Sequence, residues 1–370
     1  MASKKLYYTM KKNLHKNFKK IFLNKKVLIT GHTGFKGSWL SLWMHNMGAK
    51  VMGISIDVPT KPSHSSLIGL EKIIISKKVN IQNSILLKNT IKKFKPDFIF
   101  HLAAQAIVKK SYLNPIETWK TNLIGTVNIL ESVRYLKKET IIVLITSDKV
   151  YKNLEVTRGY KENDTLGGLD PYGASKSAAE ISIKSYIKSF FSNKKNKIFI
   201  ATARAGNVIG GGDWSENRLI PDCIRFWSKR KKVLIRNPKS TRPWQHVLDV
   251  LNGYVTLAVK LKKNKKLHGQ EFNFGPKKTN IKVIDILRKI EKKWSIARWQ
   301  ILKNQNFFEN TLLSLNSTKA EKTLGWKNKL NFIENINFTI DWYRFYLDNK
   351  NNKKKIFQKS IEQINLFEKK

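Results

Sequence analysis

Tyr172 and Lys176 stand four residues apart in Asp170-Pro-Tyr-Gly-Ala-Ser-Lys, and Ser147-Asp148-Lys149 precedes them at the end of an apolar run. Asp170-Pro-Tyr172 is expected to start a helix, from one face of which Tyr172 and Lys176, at i and i+4, would project. An ammonium beside a phenol stabilises the phenolate and lowers its pKa. The phenolate can then take a proton from a hydroxyl as hydride leaves the same carbon. The second cluster could expel water. A protonated Asp148 is the natural acid for a departing hydroxyl, provided burial raises its pKa. Lys149 either removes a proton from carbon, for which it must be neutral, or stabilises the enolate that results. Taken alone, Tyr-x-x-x-Lys is equally two surface residues, and Ser-Asp-Lys an ordinary polar loop.

Residues of this kind need a frame. Val27-Leu-Ile-Thr30, Val51 to Ile56, Asp97 to Leu102, Ile141 to Thr146 and Ile198 to Ala203 are short apolar runs separated by longer amphipathic stretches. That alternation predicts βαβ units, and continuous apolarity predicts strands buried on both faces of a parallel sheet. The expected fold is α/β: a Rossmann-like doubly wound parallel sheet with a smaller C-terminal substrate-binding lobe. Glycines and prolines become irregular after Gly206, where the chain is expected to leave the sheet. Residues 1–22 read as a basic extension and 23–205, with 240–262 returning, as the dinucleotide-binding domain. Residues 206–239 and 263–348 read as the second lobe, and 349–370 as a Lys/Asn-rich tail in which Ile356, Ile361 and Phe367 could dock a helix.

The first strand runs into Gly31-His-Thr-Gly34-Phe-Lys-Gly37 and then an apolar helix with Trp39, Leu40, Leu42 and Trp43. Glycines let the backbone turn tightly and approach a pyrophosphate, whose charge meets free amides at the helix start. Three glycines are a weak signal, but strand before and helix after are the context of a dinucleotide loop. Ser55 occupies the expected ribose position, with Asp57 two residues on, which favours NAD over NADP.

The chain carries 71 Lys and Arg against 26 Asp and Glu, a formal charge of +45. Such a field attracts polyanions. Here the excess is mostly Lys spread along the whole chain with abundant Asn and Ile, which reads as compositional bias rather than a nucleic-acid surface. Cys223 is the only cysteine, so neither an intrachain disulfide nor a cysteine-based metal cluster can form. No apolar run has the length of a membrane span or of a signal-peptide core, and a cytoplasmic protein is expected.

Several separated segments are more specific: Thr30 to Trp43, His101-Leu-Ala-Ala-Gln105, Thr146-Ser-Asp-Lys149, Glu162 to Tyr172, Arg204 to Trp214, Arg218 to Arg225 and Thr241-Arg-Pro-Trp-Gln-His246. With them the chain resembles the extended short-chain dehydrogenase/reductase family, and within it the CDP-glucose 4,6-dehydratase branch. The resemblance implies NAD as cofactor, CDP-glucose as substrate, CDP-4-dehydro-6-deoxyglucose as product, and a homodimer or homotetramer. It implies catalysis by Ser147, Asp148, Lys149, Tyr172 and Lys176. Cofactor contacts are implied at Gly31, Thr33, Gly34, Phe35, Lys36, Gly37, Ser55, Asn80, Ile81, Leu102, Ala103, Ala104, Gln105, Asn122, Tyr172 and Lys176. Substrate contacts are implied at Gln105, Ser147, Arg204, Asn207, Leu219, Arg225, Arg242 and His246. Asn80 stands where that family usually carries Asp, and Lys149 where the dTDP-glucose branch has Glu. The expected use is an unusual deoxyhexose of a surface polysaccharide. A nucleotide-sugar 4-epimerase or reductase on the same fold remains open, as does a non-catalytic polyanion binder.

Overall fold

In the computed structural model, residues 18–193, 195–276, 281–302 and 313–370 are described. The chain forms strands β1 (Lys26–Thr30), β2 (Lys50–Ser55), β3 (Ile75–Lys78), β4 (Phe98–His101), β5 (Thr140–Ile145), β6 (Ile198–Ala205) and β7 (Glu271–Phe274). They make one parallel sheet in the order β7-β6-β5-β4-β1-β2-β3. The helices used below are α1 (Phe35–Asn46), α2 (Ser84–Phe94), α3 (Gly125–Arg134), α4 (Pro171–Phe190), α5 (Leu219–Trp227), α6 (Val247–Lys263), α7 (Phe332–Asp348) and α8 (Lys353–Lys369).

Successive strand residues face opposite sides of a sheet, so an apolar strand must feed two cores. Val27 and Ile29 of β1 join the core under α1 and α6, with Trp39, Trp43 and Leu251. Leu28 joins the opposite core with Leu87 of α2, Ile129 of α3 and Ile183 of α4. Strand order reverses at β1, with β2 and β3 on one side and β4 to β7 on the other. The carboxyl ends of β1 and β4 therefore flank the crevice where such sheets bind ligands.

Five strands lie where the apolar runs predict them. β3 escapes that pattern because all four of its residues, Ile-Ser-Lys-Lys, are exposed on the sheet edge. Its lysines discourage pairing with another strand. β7 corrects the proposed lobe boundary: residues 271–274 fall within the span read as second lobe, yet pair with Thr202–Ala205 of β6 in the main sheet.

Both ends of the described chain are anchored to the core, the C-terminal one by a docked helix as Ile356 and Phe367 suggest. Residues 1–17 of the basic extension lie outside the described residues, but Phe18 and Phe22 are buried, and the Phe22 ring sits 4.7 Å from that of Phe98. The Lys/Asn-rich tail is helix α8. It buries Ile356, Ile364 and Phe367, with Phe367 edge-on to Trp43 at 5.7 Å. Trp43 Nε1 donates to Glu368 Oε1 at 2.7 Å. Ile361 is only partly buried. Among the described residues no helix is long and apolar enough to cross a membrane.

Candidate active site

Two of the glycines in the first loop have a steric reason to be there. Gly31 has φ +73°, and a Cβ on it would fall 2.8 Å from the Ala103 nitrogen; a Cβ on Gly37 would fall 2.1 Å from the Gly31 oxygen. The loop is thus pressed against the chain leaving β4. Gly34 caps α1 with no side-chain hydrogen bond, which leaves the first-turn amides and the positive end of the helix dipole for an anion. Narrow backbone, free amides and the β1/β4 crevice together fit a dinucleotide pyrophosphate. Thr33, Phe35 and Lys36 of this loop are all partly exposed.

The catalytic candidates converge from two elements. The carboxylate of Asp170 caps α4 by accepting from the backbone nitrogens of Tyr172 (3.1 Å) and Gly173 (3.0 Å). This fixes the first turn and points Tyr172 and Lys176, both buried, toward the end of β5. Lys176 Nζ donates to the Ile145 carbonyl at 3.3 Å. Beyond that carbonyl, Ser147 opens the short 3-10 turn Asp148–Val150, its hydroxyl accepting from the Lys149 amide at 3.2 Å. The Ser147 hydroxyl also donates to Asp148 Oδ1 at 2.9 Å and lies within hydrogen-bonding reach of Tyr172. Lys149 is partly exposed.

Burial dominates the electrostatics. It raises Asp148 above the usual carboxylate range, against the pull of Lys149, Ser147 and Lys36. A neutral acid is therefore favoured there, as a departing hydroxyl requires. Burial also pushes Tyr172 up to about 12, while Ser147 and Arg218 pull it down. The lowering expected from Lys176 is not seen: the groups that pull Tyr172 down are Ser147 and Arg218, and burial with Asp148 outweighs them. Lys176 is lowered to about 8 by burial and then by the charge of Lys36, with Glu180 opposing. Lys36 is lowered to about 8 by burial and Arg218, against Asp148 and Asp213.

Residues 28–339 match the family described as GDP-mannose 4,6 dehydratase. The chain belongs to that family. Within the wider group of relatives, it is 41% identical over 339 residues to the CDP-glucose 4,6-dehydratase of Salmonella typhimurium, covering 90% of this chain and 94% of that one. It is 27% identical to the human dTDP-D-glucose 4,6-dehydratase, covering 90% of this chain and 94% of that one. Among solved structures, an epimerase from Methanothermobacter thermautotrophicus superposes with TM-score 0.77 at 22% identity, over 92% of this chain and 97% of that one. The fold is that of the nucleotide-sugar epimerases and dehydratases.

For this GDP-mannose 4,6 dehydratase family member, the structure separates residues that face the crevice from residues that brace it. Leu102, Ala103 and Ala104 line the chain after β4 and stay partly exposed. Ser55, expected at the ribose, is instead buried, its hydroxyl held by His32 Nδ1 at 3.0 Å and the Thr33 amide at 3.3 Å. Asp57, two residues on, is exposed, and its Oδ1 accepts from the Val58 amide at 2.7 Å. Asn80 is exposed and its Oδ1 accepts from the Gln82 amide at 2.9 Å, while Ile81 is buried. Asn122 is also buried: its side-chain amide binds the Gln105 backbone and donates to Ser175 Oγ at 2.9 Å, tying the β4 loop to α4. Gln105 turns its own amide to Thr118 Oγ1 (3.0 Å) and the Ile107 nitrogen (2.7 Å).

The substrate candidates need similar sorting. Arg204 is fully buried, bonded to Glu180, to Tyr151 Oη at 2.6 Å and to the Glu162 carbonyl at 3.0 Å. It is a brace between β6 and α4, out of reach of a ligand. His246 is likewise buried, caps α6 through Leu248, and packs edge-on against Phe338 at 5.5 Å. Arg225 holds the Trp214 carbonyl at 2.8 Å and pairs with Asp222. Asn207, Leu219 and Arg242 remain partly exposed on the second-lobe side, with Arg242 Nη1 bonded to the Thr241 carbonyl at 2.8 Å.

Arg218 is the addition that sequence selection passed over. It pairs with Asp213 at 2.9 Å and lies close enough to act on both Tyr172 and Lys36. Its signal was its place directly before the Leu219 helix, on the segment already singled out.

Proposed function

We propose that this chain is a CDP-glucose 4,6-dehydratase. It oxidises C4 of CDP-glucose, eliminates water across C5 and C6, and returns hydride to C6 to give CDP-4-dehydro-6-deoxyglucose. The choice of dehydratase over epimerase rests on one observation: Asp148, raised by burial, is hydrogen-bonded to a Ser147 that also reaches Tyr172. An epimerase has no use for an acid there. The 41% relative supports the cytidine nucleotide.

Tyr172 takes the proton of the sugar O4, toward which Ser147 turns its hydroxyl hydrogen from Asp148 Oδ1 for the oxidation and back again before the elimination. Lys176 lies one turn along and stabilises the phenolate as it forms. NAD, when bound at the glycine loop by Gly31, Thr33, Gly34, Phe35 and Gly37, supplies a reversible hydride acceptor, so the reaction has no net redox change. The ketone at C4 acidifies the C5 hydrogen. Lys149 either removes that proton or stabilises the enolate, and Asp148 protonates the C6 hydroxyl as it leaves. Arg242 and Asn207 hold the diphosphate, for which guanidinium is suited, and residues 206–239 with most of 263–348 form the substrate lobe. A cytoplasmic homodimer or homotetramer fits this reading, and the exposed Tyr112, Leu113 and Ile116 support self-association.

Incubation of the purified protein with CDP-glucose and NAD tests the proposal. The expected result is growth of the alkali-induced absorbance of a 4-keto sugar without net NADH. Formation of CDP-galactose would replace dehydratase with epimerase.

A further inference from the structure

We infer that Gly206 is a positioning residue for Asp148, its bare Cα forming the seat of the acid; the inference rests on the dehydratase reading above. β6 ends at Ala205, and its pairing with β5, Ala203 beside Ile145, brings the next residues of both strands together. A Cβ built on Gly206 would lie 2.7 Å from Asp148 Oδ2, 3.4 Å from Asp148 Cγ and 3.3 Å from Pro243 Cγ. The carboxyl is thus held by the Ser147 hydroxyl on Oδ1 and pressed on Oδ2 against a position with no room for a methyl group. Backbone geometry does not demand glycine here, because Gly206 is not among the glycines at positive φ. Space does.

The seat has a chemical consequence. Oδ1 accepts from Ser147, so the proton of the neutral acid resides on Oδ2, the oxygen seated on Gly206. In the elimination that Oδ2–H bond breaks, leaving its electron pair on the carboxylate. The C6–O6 bond breaks with its pair on O6, which takes the proton and departs as water. Asn207 follows Gly206, and Arg242 precedes Pro243. The two segments that meet at the seat therefore also carry the groups assigned to the diphosphate, so acid and substrate share one reference frame.

Gly206→Ala moves the acid without removing it. In single turnovers with NAD and CDP-glucose, water loss should fall on the order of a hundredfold, as a displacement of about 1 Å can cost. C4 oxidation should fall much less, so that NADH absorbance accumulates transiently. In an Asp148→Asn background the same change should add no further loss, the mark of residues acting as one unit. Adding Pro243→Ala should not restore elimination. Parent-like turnover of Gly206→Ala, an additive loss with Asp148→Asn, or recovery with Pro243→Ala would each overturn the inference. A parent enzyme that forms no 4-keto sugar would instead sink the dehydratase reading. The seat is then judged by carboxyl carbon NMR of the ligand-free protein: the Asp148 titration should move down in Gly206→Ala as the carboxyl is pushed from its site, and an unmoved titration refutes it.

Discussion

Burial raises both Asp148 and Tyr172 above their ordinary values, and in the proposed reaction this divides the work between them. On the proposed mechanism Asp148 serves as the acid, its neutral form favoured by burial, whereas the phenol serves as the base when Lys176 is charged and the sugar hydroxyl is in place. Asp148→Asn should therefore impair water loss more than C4 oxidation, read as a build-up of NADH in single turnovers; equal loss of both steps would contradict the assignment. A pH profile tests the partner. Lys176 lies at about 8, below its ordinary value, because burial and Lys36 disfavour the ammonium; the charge is present below that pH and lost as pH rises through it. kcat/KM, which reports free-enzyme ionisations, should fall above about pH 8. At saturating NAD, Lys36→Met should move that fall to higher pH by removing a like charge. The convergence of the five catalytic candidates was legible because their types carry chemistry and their spacing puts them on a helix face or a strand end. Ser55, Asn122, Arg204 and His246 were misassigned because a sequence presents a polar residue that braces a site and one that touches its ligand in the same way. Only burial and hydrogen-bond partners separate them.

Arg204 shows how an element is held for chemistry done elsewhere. Its guanidinium binds Glu180 on α4, Thr146 Oγ1 donates to the same carboxylate at 2.6 Å, and Tyr151 is stacked on by the charge at 4.9 Å from its ring. β5, β6 and the helix that presents Tyr172 are thereby locked together. Removing one partner of a buried pair leaves the other charge uncompensated, at a cost of about 3–5 kcal/mol. Arg204→Ala should lose that much stability in chemical denaturation, and a double change, Arg204→Met with Glu180→Leu, should recover part of it. A loss specific to KM with stability intact would return Arg204 to the substrate site. At this scale the strongest apolar runs were readable and the weak ones were not. β1, β2, β4, β5 and β6 are buried and continuous, whereas β3 has no buried residue and β7 is the four-residue Glu-Phe-Asn-Phe. The terminal helix α8 was legible from Ile356 and Phe367 despite its lysines, which lie on the solvent side of the stripe, and only its third buried apolar residue, Ile364 rather than Ile361, was missed.

Across the whole molecule the formal charge of +45 makes further protonation costly, and the buried histidines are where that cost is most local. His64 joins three helices: Nδ1 meets Ser38 of α1 at 2.9 Å, Nε2 meets Ser360 of α8 at 3.2 Å, and its ring stacks on Trp39 at 4.4 Å and tilts against Trp342 of α7 at 5.7 Å. Burial lowers it to about 3, so the native state holds it neutral while the unfolded chain takes up a proton below its ordinary 6.5. Stability from this residue is complete above pH 6.5 and is lost as pH falls toward 3, by up to about 1.4 kcal/mol per unit. Asp249, raised to about 7 by burial, acts in the opposite sense: the native state takes up its proton first, so stability rises as pH falls from 7 toward 3.8. Lys36 and Lys176, protonated in both states below about 8, contribute no slope there. The parent melting curve therefore mixes opposing signs, and the informative quantity is a difference. His64→Gln, which keeps hydrogen-bonding capacity but cannot ionise, should melt below the parent at pH 8 because the stacking on Trp39 is lost. Calorimetry at pH 8, 6.5 and 5 should then show the gap narrowing as pH falls. A gap constant with pH would mean that His64 does not link the terminal helix to the acid stability of the fold.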